Sequence, residues 1–196
     1  QSTIQWDVVF RLARGSIPAS IITVIILNLY FDDAESYSHV LVTTLGVMLI
    51  LTSVVLLFKK RLQALSLSRT EGDSFVAKHR NELTTVMGVL LGVCVTLSSV
   101  GAGAFGAAIL LVLYPHLSPI KVIGTDIAHA GPLTFIAGLG HLSLGNVDFV
   151  LLISLLIGSL PAIHIGTMLG KRLPDKVLQP TLASILLIIG VKYAFF

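Results

Sequence analysis

Long uninterrupted apolar runs separated by short polar breaks dominate the chain. Val8–Tyr30 carries charge only at Arg11 and Arg14 near its start, and Val40–Phe58 carries none. Lys59–Glu82 is the one long polar stretch, and an uncharged run follows from Leu83 to Ile120. Val122–Gly140 is apolar apart from Asp126 and His129, Phe149–Gly170 holds His164, and Val177–Phe196 has Lys192 near its end. A spanning helix needs roughly 20 apolar residues, so each of these runs except 83–120 predicts one crossing. The runs are continuous rather than alternating, which excludes a closed β-barrel. The fold class predicted is all-α: a polytopic integral membrane helical bundle.

The run 83–120 is too long for one simple span. Three glycines within Gly101-Ala102-Gly103-Ala104-Phe105-Gly106 disfavour a continuous helix. The pattern predicts two short helices, about 84–99 and 105–114, joined by a glycine turn. Ser118-Pro119 reads as the N-cap and first residue of the next helix. Gly131-Pro132 is expected to kink that helix.

Charge placement chooses between two topologies. If 84–114 crossed the membrane once, the thirteen basic residues would divide nine to four between the two sides. If it is a re-entrant hairpin, entering and leaving on one face, twelve share a side and only Lys192 lies opposite. The positive-inside rule favours the hairpin and makes the 59–83 loop cytoplasmic. Irregular backbone at membrane depth is tolerated only where it is buried or lines a cavity, so the turn is a candidate site.

Gly15-Ser16-Ile17-Pro18-Ala19 recurs as Gly158-Ser159-Leu160-Pro161-Ala162, 143 positions later, and Leu45-Gly46-Val47 resembles Ile189-Gly190-Val191 at an offset of 144. Under the hairpin topology the first helices of the two copies run in opposite senses, an inverted repeat of the kind found in secondary transporters. The chain then divides into a remainder of the first repeat (1–58, two helices), the linker 59–83, and a complete second repeat, 84–196. The second repeat holds the hairpin 84–114 and spans 119–141, 149–170 and 177–195. A first-repeat counterpart of the hairpin and kinked helix is expected before residue 1, which would make a whole of about 256 residues by repeat arithmetic.

Composition sharpens the picture. Of 196 residues 55% are hydrophobic and 12% charged, against about 25% charged in a soluble domain. A soluble enzyme, a nucleic-acid binder and a disordered tail are excluded on that ground. The only cysteine, Cys94, rules out an intrachain disulfide. Six scattered histidines, few carboxylates and no cysteine pair give no metal-site pattern, and no cofactor motif is present.

Three features carry candidate chemistry. Ser98, Ser99, Gly101 and Gly103 form a glycine-rich bend into a short helix, whose backbone N–H groups and positive dipole end suit an anion; the alternative is close packing through small residues. Asp126 and His129 share a helix face at i, i+3 and suit a coupling proton; the alternative is a structural hydrogen bond. Thr125 adds a hydroxyl. Pro18, Pro132 and Pro161 each free a carbonyl four residues upstream and suit a gating bend, although a packing kink explains them too. His116 and His141 lie at span ends and read as interfacial. Gly88/Gly92 and Gly166/Gly170 are G-x-x-x-G spacings that favour helix packing and offer a homodimer contact. An intramembrane serine hydrolase built on Ser98 or Ser99 with His129 or His141 lacks a Gly-x-Ser-Gly nucleophile turn.

Leu97-Ser98-Ser99-Val100-Gly101-Ala102-Gly103-Ala104 and Gly124-Thr125-Asp126-Ile127-Ala128-His129-Ala130 resemble the sulfite exporter TauE/SafE family, also called the toluene-sulfonate uptake permeases. Gly138-Leu139-Gly140-His141, Gly145-Asn146-Val147-Asp148-Phe149 and both Gly-Ser-Φ-Pro-Ala copies extend the resemblance over essentially the whole chain. The resemblance implies an inner-membrane carrier of small sulfur-containing anions such as sulfite or organosulfonates, with two related halves and glycine-rich broken segments at the substrate site. The family's N-terminal glycine-rich segment has no counterpart in this sequence, and Ala102 and Ala104 stand where a denser glycine run is common. The expected function is therefore a non-enzymatic secondary transporter of small anions working by alternating access. The competing readings are a non-transporting scaffold or channel subunit and the hydrolase.

Overall fold

A computed structural model describes residues 4–30, 34–68, 79–100, 103–114, 116–145, 147–170 and 174–195. The described residues form seven helices: α1 (Trp6–Tyr30), α2 (Ala34–Ser68), α3 (Arg80–Ser98), α4 (Ala104–Leu113), α5 (Pro119–Ser143), α6 (Phe149–Gly170) and α7 (Asp175–Phe195). Six of them are long and apolar enough to cross a membrane, α4 being the exception. Large apolar side chains cover the outside, among them Phe10, Leu29, Ile127, Phe135 and Ile188. Contiguous apolar exposure on this scale belongs in lipid.

The break expected near 101–106 is present. α3 ends at Ser99, which takes the left-handed conformation (φ 55°) and returns its N–H to the Val95 carbonyl. α4 begins after Gly103, at φ 104°, a backbone region that glycine enters without steric cost. Gly101 lies outside the described residues. Ser118 is extended and Pro119 opens α5, as the N-cap reading expected. One difference concerns helix length. The 59–83 linker starts as helix, since α2 runs on through Ser68 and α3 begins at Arg80; Lys59–Leu67 holds good helix formers and no glycine or proline. Residues 69–78 of that linker lie outside the described residues. Helix α5 continues through Gly131-Pro132 to Ser143, with the Thr134 hydroxyl on the Ala130 and Gly131 carbonyls of that turn.

Helix senses follow from residue pairs. Leu12 meets Gly88, Ser16 meets Gly92, and Ser20 meets Thr96, so α1 and α3 are parallel. Gln5 meets Thr125, Ser16 meets His129 and Val24 meets Gly140, so α1 and α5 are parallel as well. A single crossing by α3–α4 would have made α5 antiparallel to α1. The hairpin also closes at its mouth: the Thr84 and Tyr114 hydroxyls are 2.9 Å apart, and the Arg80 guanidinium sits 5.5 Å from the Tyr114 ring centroid. With ten residues, α4 is about 15 Å long, half a hydrocarbon core. The 84–114 segment is therefore a re-entrant hairpin.

Helices α2 and α7 are antiparallel: Gly46 meets Gly190, the Ser53 hydroxyl donates to the Ala183 carbonyl at 2.7 Å, and the Gln179 amide donates to the Leu56 carbonyl. Gly46 and Gly190 are repeat equivalents. A Cβ on either would lie 2.8–2.9 Å from the other's carbonyl oxygen, so the two copies face each other across a local pseudo-twofold contact. The core lies between α1, α3, α4 and α5, around Leu12, Leu91, Leu110 and Val122. α6 stands outside it, and each of its described side chains is exposed. The Gly158-Ser159 face of α6, equivalent to the α1 face that grips α3, is uncovered among the described residues, with nothing within 4 Å of a Cβ at Gly158.

Candidate substrate site

The α3–α4 turn is built from chain ends that satisfy each other. Ser98 Oγ lies 2.6 Å from the Cys94 carbonyl oxygen, 2.9 Å from that of Val100 and 3.1 Å from the Val100 amide. Its hydroxyl ties off the end of α3. Ser99 stands exposed at the turn. Both serines line a cavity of about 290 Å³ together with Leu41, Val42, Leu45, Leu97 and His141. His141, in the last turn of α5, is half-buried and donates Nε2–H to the Thr96 carbonyl at 2.8 Å.

Across the turn, Asp126 is 1% exposed. Its Oδ2 accepts the Gly103 N–H at 2.7 Å, and its Oδ1 has no hydrogen-bond partner among the described residues. Gly106, on the first turn of α4, lies against the carboxylate: a Cβ there would stand 3.0 Å from Asp126 Cγ. A carboxylate at a helix N-terminus is favoured by the unpaired N–H groups and the dipole. Asp126 and Gly103, nominated separately from sequence, thus meet in one contact between α5 and α4.

His129 does not pair with Asp126. Its Nε2 lies 2.7 Å from Ser16 Oγ and its Nδ1 has no partner. The Ser16–His129 distance is that of a nucleophile–base pair. Yet Ser16 is fully buried, no acidic group orients Nδ1, and neither cavity described here includes it among its lining residues. The pair is a tie between α1 and α5. Above it Thr96 Oγ1 lies 2.7 Å from both Ser20 Oγ and the Gly92 carbonyl. Thr125 is fully buried, with its hydroxyl donating to the Lys121 carbonyl at 2.7 Å and accepting the Gln5 N–H at 3.0 Å. Those bonds use its only proton. Ser20 and Thr96 were not singled out from sequence, while Ser16 was named only within the Gly-Ser-Φ-Pro-Ala repeat and His141 only as an interfacial residue or hydrolase base. Their partners lie on other helices, which local sequence does not mark.

The prolines fall in different surroundings. Pro18 lies inside α1 and lines an apolar cavity of about 530 Å³ between α1, α2 and α3, with Arg14 among its lining residues. Pro132 is on the exposed side of α5, and Pro161 lies within the uncovered helix α6.

Comparison with known proteins gives a consistent answer. The family model for sulfite exporter TauE/SafE matches residues 1–193. The chain is 33% identical over 192 residues to the probable membrane transporter protein YjnA of Bacillus subtilis (strain 168), covering 98% of this chain and 75% of that protein. It is 28% identical over 109 residues to the probable membrane transporter protein YdhB of the same organism, covering 53% of this chain and 44% of the relative. No solved structure matches the chain. A multi-pass bundle with a re-entrant hairpin, matched along nearly its whole length, places this chain in the sulfite exporter TauE/SafE family of membrane transporters.

Proposed function

We propose that this protein is a secondary transporter that moves small, sulfur-containing anions such as sulfite or organosulfonates across the inner membrane by alternating access, with the 59–83 side cytoplasmic. The observation that carries the reading is the broken α3–α4 hairpin. It ends α3 at Ser98 and Ser99, which line a cavity, and starts α4 just past Gly103, within the apolar run. Such a helix end attracts negative solutes. Ser98, Ser99, Gly101 and Gly103 are the proposed anion-contacting positions, with Thr125 supporting the α1–α5 junction beside them. Asp126 and His129 are the proposed proton carriers. Pro18, Pro132 and Pro161 are the proposed bending points, and the Gly46–Gly190 contact is a natural pivot between the two copies.

The test is uptake of labelled sulfite and methanesulfonate into proteoliposomes. Saturable flux, accelerated by the same anion on the far side, is expected. Ser99→Ala combined with Gly103→Val should abolish it, because the valine cannot hold φ 104°. Flux that shows no saturation and no counterflow, or that survives the double substitution, refutes the reading.

A further inference from the structure

We infer that the Asp126 carboxylate is a built-in surrogate for the substrate: it occupies the N-terminal end of α4 when the site is empty and must be neutralised by a proton before an oxyanion can take the Gly103 amide. The inference rests on the anion-transport reading above and specifies how its binding site is gated. The amide that a substrate oxygen would use is already donated to Asp126 Oδ2, at 2.7 Å. The second oxygen is buried, without a partner, and pressed on Gly106 of the same helix turn. A buried carboxylate with one satisfied oxygen is half of an ion site, and the missing half is a proton or a cation.

No cation is in place to supply it. α5 packs against α1, α3 and α4. Its own ionisable groups are Lys121, His129 and His141, and His129 is turned to Ser16. α1 brings Asp7, Arg11, Arg14 and, at its far end, Tyr30; α3 brings Arg80, Glu82 and Cys94; α4 brings none. Asp126 forms no ion pair among the described residues. Its only described hydrogen bond is to Gly103.

Two like charges cannot share one helix end in a medium of low dielectric constant. An arriving oxyanion therefore either fails to bind or binds together with a proton on Asp126. The proton turns a competing acceptor into an O–H donor facing the same anion. By linkage, anion binding and proton binding strengthen each other by equal factors. One anion then carries one proton, and with a monoanion the loaded site bears the same single negative charge as the empty site with Asp126 ionised, so the transfer is electroneutral.

The test uses the full chain in detergent with methanesulfonate and thiosulfate, anions that stay ionised throughout. Affinity is measured by calorimetry from pH 5.5 to 8.5 in two buffers of different ionisation enthalpy. The expected result is uptake of close to one proton per anion on the alkaline side, with Kd weakening up to tenfold per pH unit there. In Asp126→Asn the site carries a permanent neutral donor, so Kd should become independent of pH with no proton uptake. Should that variant fail to fold, the proton count of the unmodified chain decides alone. Binding without proton uptake, or a pH slope that survives in Asp126→Asn, overturns this inference and leaves the transport reading standing. Failure of both anions to bind the unmodified chain overturns the substrate reading, and this inference with it.

Discussion

Replacing Gly92 by alanine is expected to pry α1 from α3. A Cβ at this position would lie 2.8 Å from Ser16 Cα and 2.9 Å from its carbonyl carbon. Carbon pairs are comfortable at about 3.5–4.0 Å, so the two backbones must part by roughly 0.7 Å or more. No flexible side chain tip can yield in their place, because the opposing atoms are main chain. Overpacking of this kind costs about 1–3 kcal/mol. The Ser20–Thr96 contact at 2.7 Å lies one turn away, and stretching it adds about 0.6 kcal/mol, the average for such bonds in membrane bundles. Against this stands a helix-propensity gain of up to about 1 kcal/mol for Gly→Ala. The net loss is about 0.6–2.6 kcal/mol. Gly138→Ala is the control: it keeps the propensity gain, and nothing lies within 4 Å of its new Cβ. Reversible unfolding in mixed micelles with increasing SDS reads the two variants against the unmodified chain. Gly92→Ala should unfold at clearly lower SDS, and Gly138→Ala at equal or higher SDS. If the two agree within about 0.5 kcal/mol, the scatter of substitutions that touch nothing, the close backbone contact is wrong.

Single cysteines at Ala64, His116 and Asp148, in a chain whose Cys94 is replaced by alanine, should report the topology: a membrane-impermeant maleimide should label 64 and 116 from one face and 148 from the other, whereas a single crossing by 84–114 would put 64 with 148 and leave 116 on the opposite face. The hairpin mouth is open to a double-mutant cycle: Tyr114→Phe should cost about 1 kcal/mol in the SDS titration, Thr84→Val about 2 because it also removes the 2.7 Å bond to the Arg80 carbonyl, and the pair no more than about 2.5, since both delete the shared bond, and full additivity would mean that the 2.9 Å contact contributes nothing.

Much of this architecture was readable from residue order because the bilayer imposes a strict length and polarity rule. The apolar runs became α1, α2, α5, α6 and α7 with ends shifted by a few residues, and the glycine cluster became the α3–α4 break. The bias of twelve basic residues to one side pointed to the hairpin whose mouth Thr84 and Tyr114 close. Helix α2 was the exception, running ten residues past Phe58 to Ser68, since polar residues of good helix propensity leave no mark at a helix end.

The candidate site divides along the same line. Ser98, Ser99, Gly103, Asp126 and His129 stood out because polar or glycine positions inside apolar runs are costly and therefore visible. How they pair was invisible. Ser16 is 113 positions from His129, and Gly103 is 23 from Asp126. Such pairs depend on helix rotation and register, which apolar runs exposed to lipid on most sides barely encode. The residue order alone determined how many times the chain enters the membrane, where it breaks and which residues are too polar to be idle. Only the packed helices decided that Asp126 caps α4 while His129 ties α5 to α1, because that choice is made by backbones brought into contact at Gly88, Gly92 and Gly106.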